Sequence, residues 1–166
     1  MYTIISATNR IGSHTEKVAK EYQKILATKD IDAKIFSLKN LNVLERNPEF
    51  SEAENEFLIS AQKFIFIIPE YNGSFPGVLK SLIDNSDIIK AWWYKKALLT
   101  GVSTGRAGNL RGMDHITGIL NYIKILVHPN KLPISVIDKV MNAEGIITDK
   151  NTLLAIEQQL EEFTNF

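Results

Sequence analysis

Residues 1–15 read MYTIISATNRIGSHT, and the fold follows from how this stretch changes character. Tyr2 to Ser6 is a short β-branched and apolar run, the pattern of a strand buried on both faces. Ala7 to Ser13 then brings together Thr, Asn, Arg, Gly and Ser. From Thr15 onward apolar residues recur at helical spacing, as Val18, Ala19, Tyr22, Ile25 and Leu26, with charged residues between them. A buried strand, a polar loop and an amphipathic helix form one half of a nucleotide-binding βα unit. The loop amides, its hydroxyls and the positive end of the helix dipole suit an anion, with phosphate the usual one. Arg10 adds a fixed cation with a fork of donors. The plain alternative is a capped βα turn without a ligand, since Ser and Thr are common helix caps.

Outward from this unit, strands and helices alternate. Asp32 to Leu38 reads as a second strand. Ser51 with Glu54 resembles a capping box for a short helix through Phe57, Leu58 and Ala61. KFIFII at Lys63 to Ile68 is apolar at nearly every position, as a central parallel strand requires. The turn-rich PEYNGSFPG of Pro69 to Gly77 follows, then a helix with Val78, Leu79, Leu82 and Ile83 as its stripe. KALLTGV at Lys96 to Val102 is a fourth strand, leading into a third polar loop from Ser103 to Asn109 and a helix through Leu110, Met113, Ile116 and Leu120. Ile125 to His128 is expected as a last core strand, Lys131 to Ile137 as an extended piece, and Asn151 to Phe163 as a closing helix. This alternation predicts one α/β domain over residues 1–166, a flavodoxin-like three-layer sandwich. Its sheet would be five-stranded, parallel and ordered 2-1-3-4-5.

Composition narrows the function classes. Lys plus Arg and Asp plus Glu both count 19, a formal net charge of zero. That gives no basic excess for nucleic acid and no strong field for a carrier that docks by charge. There are no cysteines, hence no disulfides, thiolate metal sites or cysteine nucleophiles. His14, His115 and His128 lack ligand spacing, so no metal is expected. No apolar run approaches the ~20 residues of a membrane span, and the N-terminus enters a strand directly. A soluble cytoplasmic protein is the expectation. Trp92, Trp93 and Tyr94 sit together beside a turn; they could cover the sheet edge, and a subunit interface is the favoured reading, because adjacent tryptophans are hard to bury in one small core. Lys95 and Lys96 are read as a solvated turn, and Arg111 is given no role.

In an open parallel sheet, ligands bind outside the carboxyl ends of the strands where the strand order reverses. The polar loops after the first, third and fourth strands would meet there. A phosphate cradle beside two loops able to border a flat heterocycle describes a mononucleotide, and FMN fits best.

The residues at these loops resemble the NADPH-dependent FMN reductase family, short flavoproteins that include quinone, azo and chromate reductases. The family's first loop, Gly-Ser-x-Arg-x-x-Ser, stands here as Ala7-Thr8-Asn9-Arg10-Ile11-Gly12-Ser13. Pro69 to Ser74, continuing through Pro76 to Lys80, matches its most specific motif. Ser103 to Gly108 resembles its flavin-edge loop, and Glu144-Gly145 with Asp149 resembles a late turn. Ala7 in place of glycine and Thr8 in place of serine are departures in the phosphate loop. The resemblance implies that Thr8, Arg10, Ser13, His14 and Thr15 hold the FMN phosphate. It also implies that Pro69, Glu70, Tyr71, Asn72 and Gly73 border the isoalloxazine, and that Ser103, Thr104, Gly105 and Arg106 meet its pyrimidine end. The implied activity is hydride transfer from NADPH or NADH to FMN and on to a quinone, flavin or similar small acceptor, in a homodimer or homotetramer. Because the flavin carries the chemistry, no side chain is named as an acid or base. An FMN-binding electron carrier without nicotinamide turnover, and a nucleotide-binding or interaction module without redox work, are the competing readings.

Overall fold

The computed structural model describes residues 1–166. The elements run β1 (Tyr2–Ser6), α1 (His14–Ala27), β2 (Ala33–Ser37), α2 (Pro48–Ala53) continuing into a π-helical stretch (Glu54–Ile59), β3 (Lys63–Pro69), α3 (Gly77–Asn85), α4 (Ile88–Ala91), β4 (Lys96–Val102), α5 (Leu110–Tyr122), β5 (Leu126–Val127), β6 (Leu132–Ile134), α6 (Ile137–Val140) and α7 (Lys150–Asn165). All strand pairs are parallel and the order is β2-β1-β3-β4-β5, with β6 also on β4. No helix is long and apolar enough to cross a membrane.

Alternation along the strands divides the interior in two. Phe64, Phe66 and Ile68 face a core shared with Leu58, Leu79, Leu82, Met113, Ile116 and Leu120. Ile65 and Ile67 face the other side, where Val18, Tyr22 and Leu26 of α1 meet Ile156, Leu160 and Phe163 of α7. The expected strand order and three layers are therefore present.

The edge strand differs from expectation. Instead of one strand at Ile125 to His128, two short pieces pair with successive parts of β4. Ala97 lies opposite Val127, yet Thr100 lies opposite Leu132, so the edge chain carries extra residues between them. Pro129 has no N–H for the ladder, which explains a bulge at this point. The bulge is stitched by side chains. His128 Nδ1 accepts from the Asn130 N–H at 3.2 Å. Gln159 Nε2 donates to Asn130 O at 2.9 Å and to Leu99 O at 3.0 Å. Gln159 Oε1 in turn accepts from the Tyr22 hydroxyl at 2.7 Å, so α1, β4 and α7 share one buried polar network.

Three local readings are corrected by the structure. The helix before β3 starts at Pro48, not at Ser51. Asn47 caps it by accepting from Phe50 N at 2.8 Å, and proline suits the first helical position because it has no N–H to orphan. Glu54 is buried rather than capping. Its carboxylate takes a fork from Arg46 at 2.7 and 3.2 Å and the Asp87 N–H at 2.5 Å. Trp92 is fully buried against Phe64, with ring centroids 5.0 Å apart, so it belongs to the core and not to an interface. Trp93 is half-buried, and Tyr94 remains exposed.

Lys95 is the third correction, being buried rather than solvated. Its ammonium donates to the carbonyls of Leu58 and Ile59 at 2.6 and 3.0 Å, holding the C-terminal end of the π-helical stretch against β4. Neighbouring Lys96 donates to the Phe166 carbonyl. Burial lowers the Lys95 pKa from 10.5 to about 8. The unfolded chain keeps this proton at higher pH than the folded one does, so stability rises as pH climbs from about 8 toward 10.5. Urea unfolding at neutral and alkaline pH should therefore show wild type gaining stability relative to Lys95→Met as pH increases. A flat or falling difference would contradict this account of Lys95.

Candidate functional site

The three loops leave the same edge of the sheet because β1, β3 and β4 are parallel. Register sets their heights. Ser6 ends β1 opposite Ile67, whereas β3 and β4 continue side by side to Pro69 and Val102. The first loop thus departs below the other two, and a cavity of about 230 Å³ opens above it. Its lining includes Arg10, Ser13, His14 and Thr15 from the first loop and α1, Pro69, Glu70 and Tyr71 from the second, and Ser103 and Thr104 from the third.

In the first loop, Ser13 caps α1 and accepts from Glu16 N at 3.2 Å. The N–H groups of Ile11, Gly12, Ser13, His14 and Thr15 have no protein acceptor. These amides, at the positive end of a helix, form an anion cradle. Glu16, in the first turn, is held by Lys39 at 3.0 Å, which balances its charge near the cradle.

The second loop is a tight hairpin. Tyr71 and Ser74 exchange backbone hydrogen bonds of 2.9 and 3.1 Å around Asn72 and Gly73, whose φ values are 52° and 78°. Two positive φ angles in succession are those of a type I′ turn, which Asn-Gly favours. The Asn72 and Gly73 amides donate to no protein acceptor.

Tyr71 clamps the first loop to the second. Its hydroxyl bonds Thr8 Oγ1, and the Arg10 guanidinium lies 4.1 Å from its ring centroid. One face of the ring is thus covered by Arg10 instead of being free for a ligand, and Thr8 is tied to Tyr71 beneath the cavity rather than lining it.

The third loop folds on Ser103. The Ser103 hydroxyl donates to Gly105 O at 2.9 Å and accepts from Gly108 N at 3.0 Å. Thr104, Gly105 and Arg106 keep amides without protein acceptors, and the Arg106 side chain is exposed outside the cavity lining.

Of the residues expected from sequence, Thr8, Asn72, Gly73, Gly105 and Arg106 flank the cavity's lining without forming it. Ile11, Val102 and Ile137 line it unexpectedly. Ile137 arrives because Val136 turns the chain back with φ 43°, a conformation that no sequence signal marks in a β-branched residue. Asp138 on the same short helix lies 3.3 Å from His14 Nε2, linking α6 to the start of α1. Asn109, which the sequence places at the end of a polar loop, is fully buried. Arg111, earlier without a role, approaches Gly73. A Cβ at that glycine would lie 2.9 Å from its Nη1.

Comparison with known proteins adds independent findings. Residues 2–139 match the family described as NADPH-dependent FMN reductase. An NAD(P)H-dependent FMN reductase of Pseudomonas aeruginosa is 33% identical over 69% of this chain and 63% of its own length. A 2-hydroxy-1,4-benzoquinone reductase of a Burkholderia species is 26% identical over 70% of this chain and 66% of its own. The chain thus spans slightly less than two thirds of these relatives. Among solved structures, the flavoenzyme NAD(P)H:(acceptor) oxidoreductase FerB of Paracoccus denitrificans superposes with a TM-score of 0.80 at 20% identity, covering 99% of this chain and 94% of that one.

If Tyr71 clamps the two loops, Tyr71→Phe should lower stability to urea by about 1 kcal/mol through loss of the Thr8 bond. Tyr71→Ala, which also removes the surface under Arg10, should cost more. Unchanged unfolding midpoints in both variants would show that the loops are held by something else.

Proposed function

Because the chain belongs to the NADPH-dependent FMN reductase family, we propose that it acts as an FMN-dependent NAD(P)H oxidoreductase serving a quinone, flavin or similar small acceptor. The observation that carries this reading is the presence of unpartnered backbone amides on all three loops around one cavity. When bound, FMN supplies the hydride-accepting and hydride-donating chemistry, while the protein supplies binding, orientation and exclusion of water.

The donor set fits such a group. Ile11 to Thr15 would hold its phosphate through main-chain N–H groups, with the Ser13 and Thr15 hydroxyls beside them. Glu16 is neutralised by Lys39, so the cradle keeps its affinity for an anion. Thr8, through Tyr71, sets the first loop against the second, and Arg10 stays at the rim as a cation. Pro69, Glu70, Asn72 and Gly73 would border one edge of the ring, with the two hairpin amides as donors. Ser103 holds its loop so that the amides of Thr104, Gly105 and Arg106 remain available where negative charge develops.

We further propose a homodimer or homotetramer. Its support is an apolar groove of about 360 Å³ between α3 and α5, lined by Ile83, Ile88, Ile119, Tyr122 and Ile123 among others. At its rim Tyr122 is 85% exposed and Ile88 40%, and exposed apolar surface of this kind marks interaction sites. A cytoplasmic location belongs to the same proposal, since the nicotinamide donor is regenerated there.

Purified protein should acquire a visible flavin spectrum with FMN and oxidise NADPH or NADH when a quinone is supplied. A protein that stays colourless contradicts the reading, and flavin binding without nicotinamide turnover indicates a carrier instead. Ser13→Ala should weaken FMN binding about tenfold and leave riboflavin binding unchanged, as expected for loss of a hydrogen bond to charge. Equal loss for both flavins would move the phosphate away from Ser13. Sedimentation should give a multiple of 18.7 kDa that falls toward the monomer in Tyr122→Glu.

A further inference from the structure

Asn109 is the residue at which the third loop becomes α5, and its surroundings are built around it. It is fully buried with φ 61° and ψ 31°, the left-handed conformation. Its Nδ2 donates to Ile68 O at 3.1 Å and to Pro69 O at 3.0 Å, the last two carbonyls of β3. Its Oδ1 is buried with no hydrogen-bond partner. Two glycines make the space. A Cβ at Gly112 would lie 2.1 Å from that Oδ1, and one at Gly101 would lie 2.0 Å from Gly108 O and 3.1 Å from Asn109 Cβ. Glycine satisfies a left-handed backbone without strain, so backbone conformation alone does not call for a carboxamide with an orphaned acceptor. What the carboxamide adds is the pair of bonds to β3.

Those bonds join two of the three cavity walls. The second loop leaves β3 immediately after Pro69, and the third loop ends at Asn109 itself. We propose that Asn109 is a positioning residue whose carboxamide fixes the separation between the Asn72–Gly73 hairpin and the Thr104–Arg106 loop, and with it the width of the slot for the flavin ring. The assignment rests on the FMN reading in its ligand, but the strut itself is a property of the protein alone. The phosphate cradle on α1 lies outside the strut, so ring binding and phosphate binding separate.

The test compares wild type with Asn109→Gly, which keeps the left-handed backbone, and Asn109→Asp, which turns an acceptor toward two carbonyls. Amide hydrogen exchange of the ligand-free proteins should quicken at Glu70, Tyr71 and Ser74, whose N–H groups are bonded, and stay unchanged in the body of α1. Titrations with FMN and with riboflavin, followed by flavin fluorescence, should both weaken by about tenfold, the scale of one or two lost hydrogen bonds. If Asn109→Gly does not fold, Asn109→Asp is read by the same criteria. Unchanged exchange overturns the strut. Faster exchange with unaltered flavin affinities overturns the positioning role, as does weakening of FMN alone. A wild-type protein that binds neither flavin defeats the cofactor reading, and the exchange comparison then decides the strut without it.

Discussion

The parallel register of β1, β3 and β4 is the constraint on which the rest of the molecule depends. Parallel strands send every following loop to one edge. Because β3 and β4 run two residues beyond the pairing that ends β1 at Ser6, the edge is stepped rather than level. The step leaves room above the first loop, beside the free amides of the α1 N-terminus, the Asn72–Gly73 turn and the third loop. In the proposed function this edge works through main-chain donors held at fixed separations, with side chains acting mainly to hold the donors in place.

That division of labour explains several side chains that do no chemistry. Tyr71 binds Thr8 and supports Arg10, so two loops share one anchor. Ser103 closes the third loop on itself. Asp138 beside His14 brings α6 to the start of α1. Each contact uses a polar group to fix geometry, which suits the proposed binding of a cofactor with its own reactivity.

The strands and loops were legible in the sequence because their signals are local. Tyr2–Ser6 and Lys63–Ile68 read as buried strands from composition alone, and Asn72-Gly73 announced its turn. The family's loop patterns lay in the same stretches. What could not be read depended on partners far along the chain. Glu54 looks like a capping residue until Arg46 and the Asp87 amide are brought to it. Lys95 looks solvated until the π-helical carbonyls of Leu58 and Ile59 cover it, and Trp92 looks like surface until Phe64 packs on it. At the site, Arg10 and Tyr71 were both foreseen, but not that they stack on each other. Nothing in the sequence around Asn109 showed that the end of the third loop would be buried or that its carboxamide would reach the carbonyls of Ile68 and Pro69.

The most direct measurement of the central claim is an amide chemical-shift map of the isotopically labelled protein titrated with FMN. The account predicts that the largest changes fall on three separated groups, Ile11 to Thr15, Asn72 with Gly73, and Thr104 to Arg106, moving together with one affinity. Changes confined to one group, or centred on the groove between α3 and α5, would contradict it.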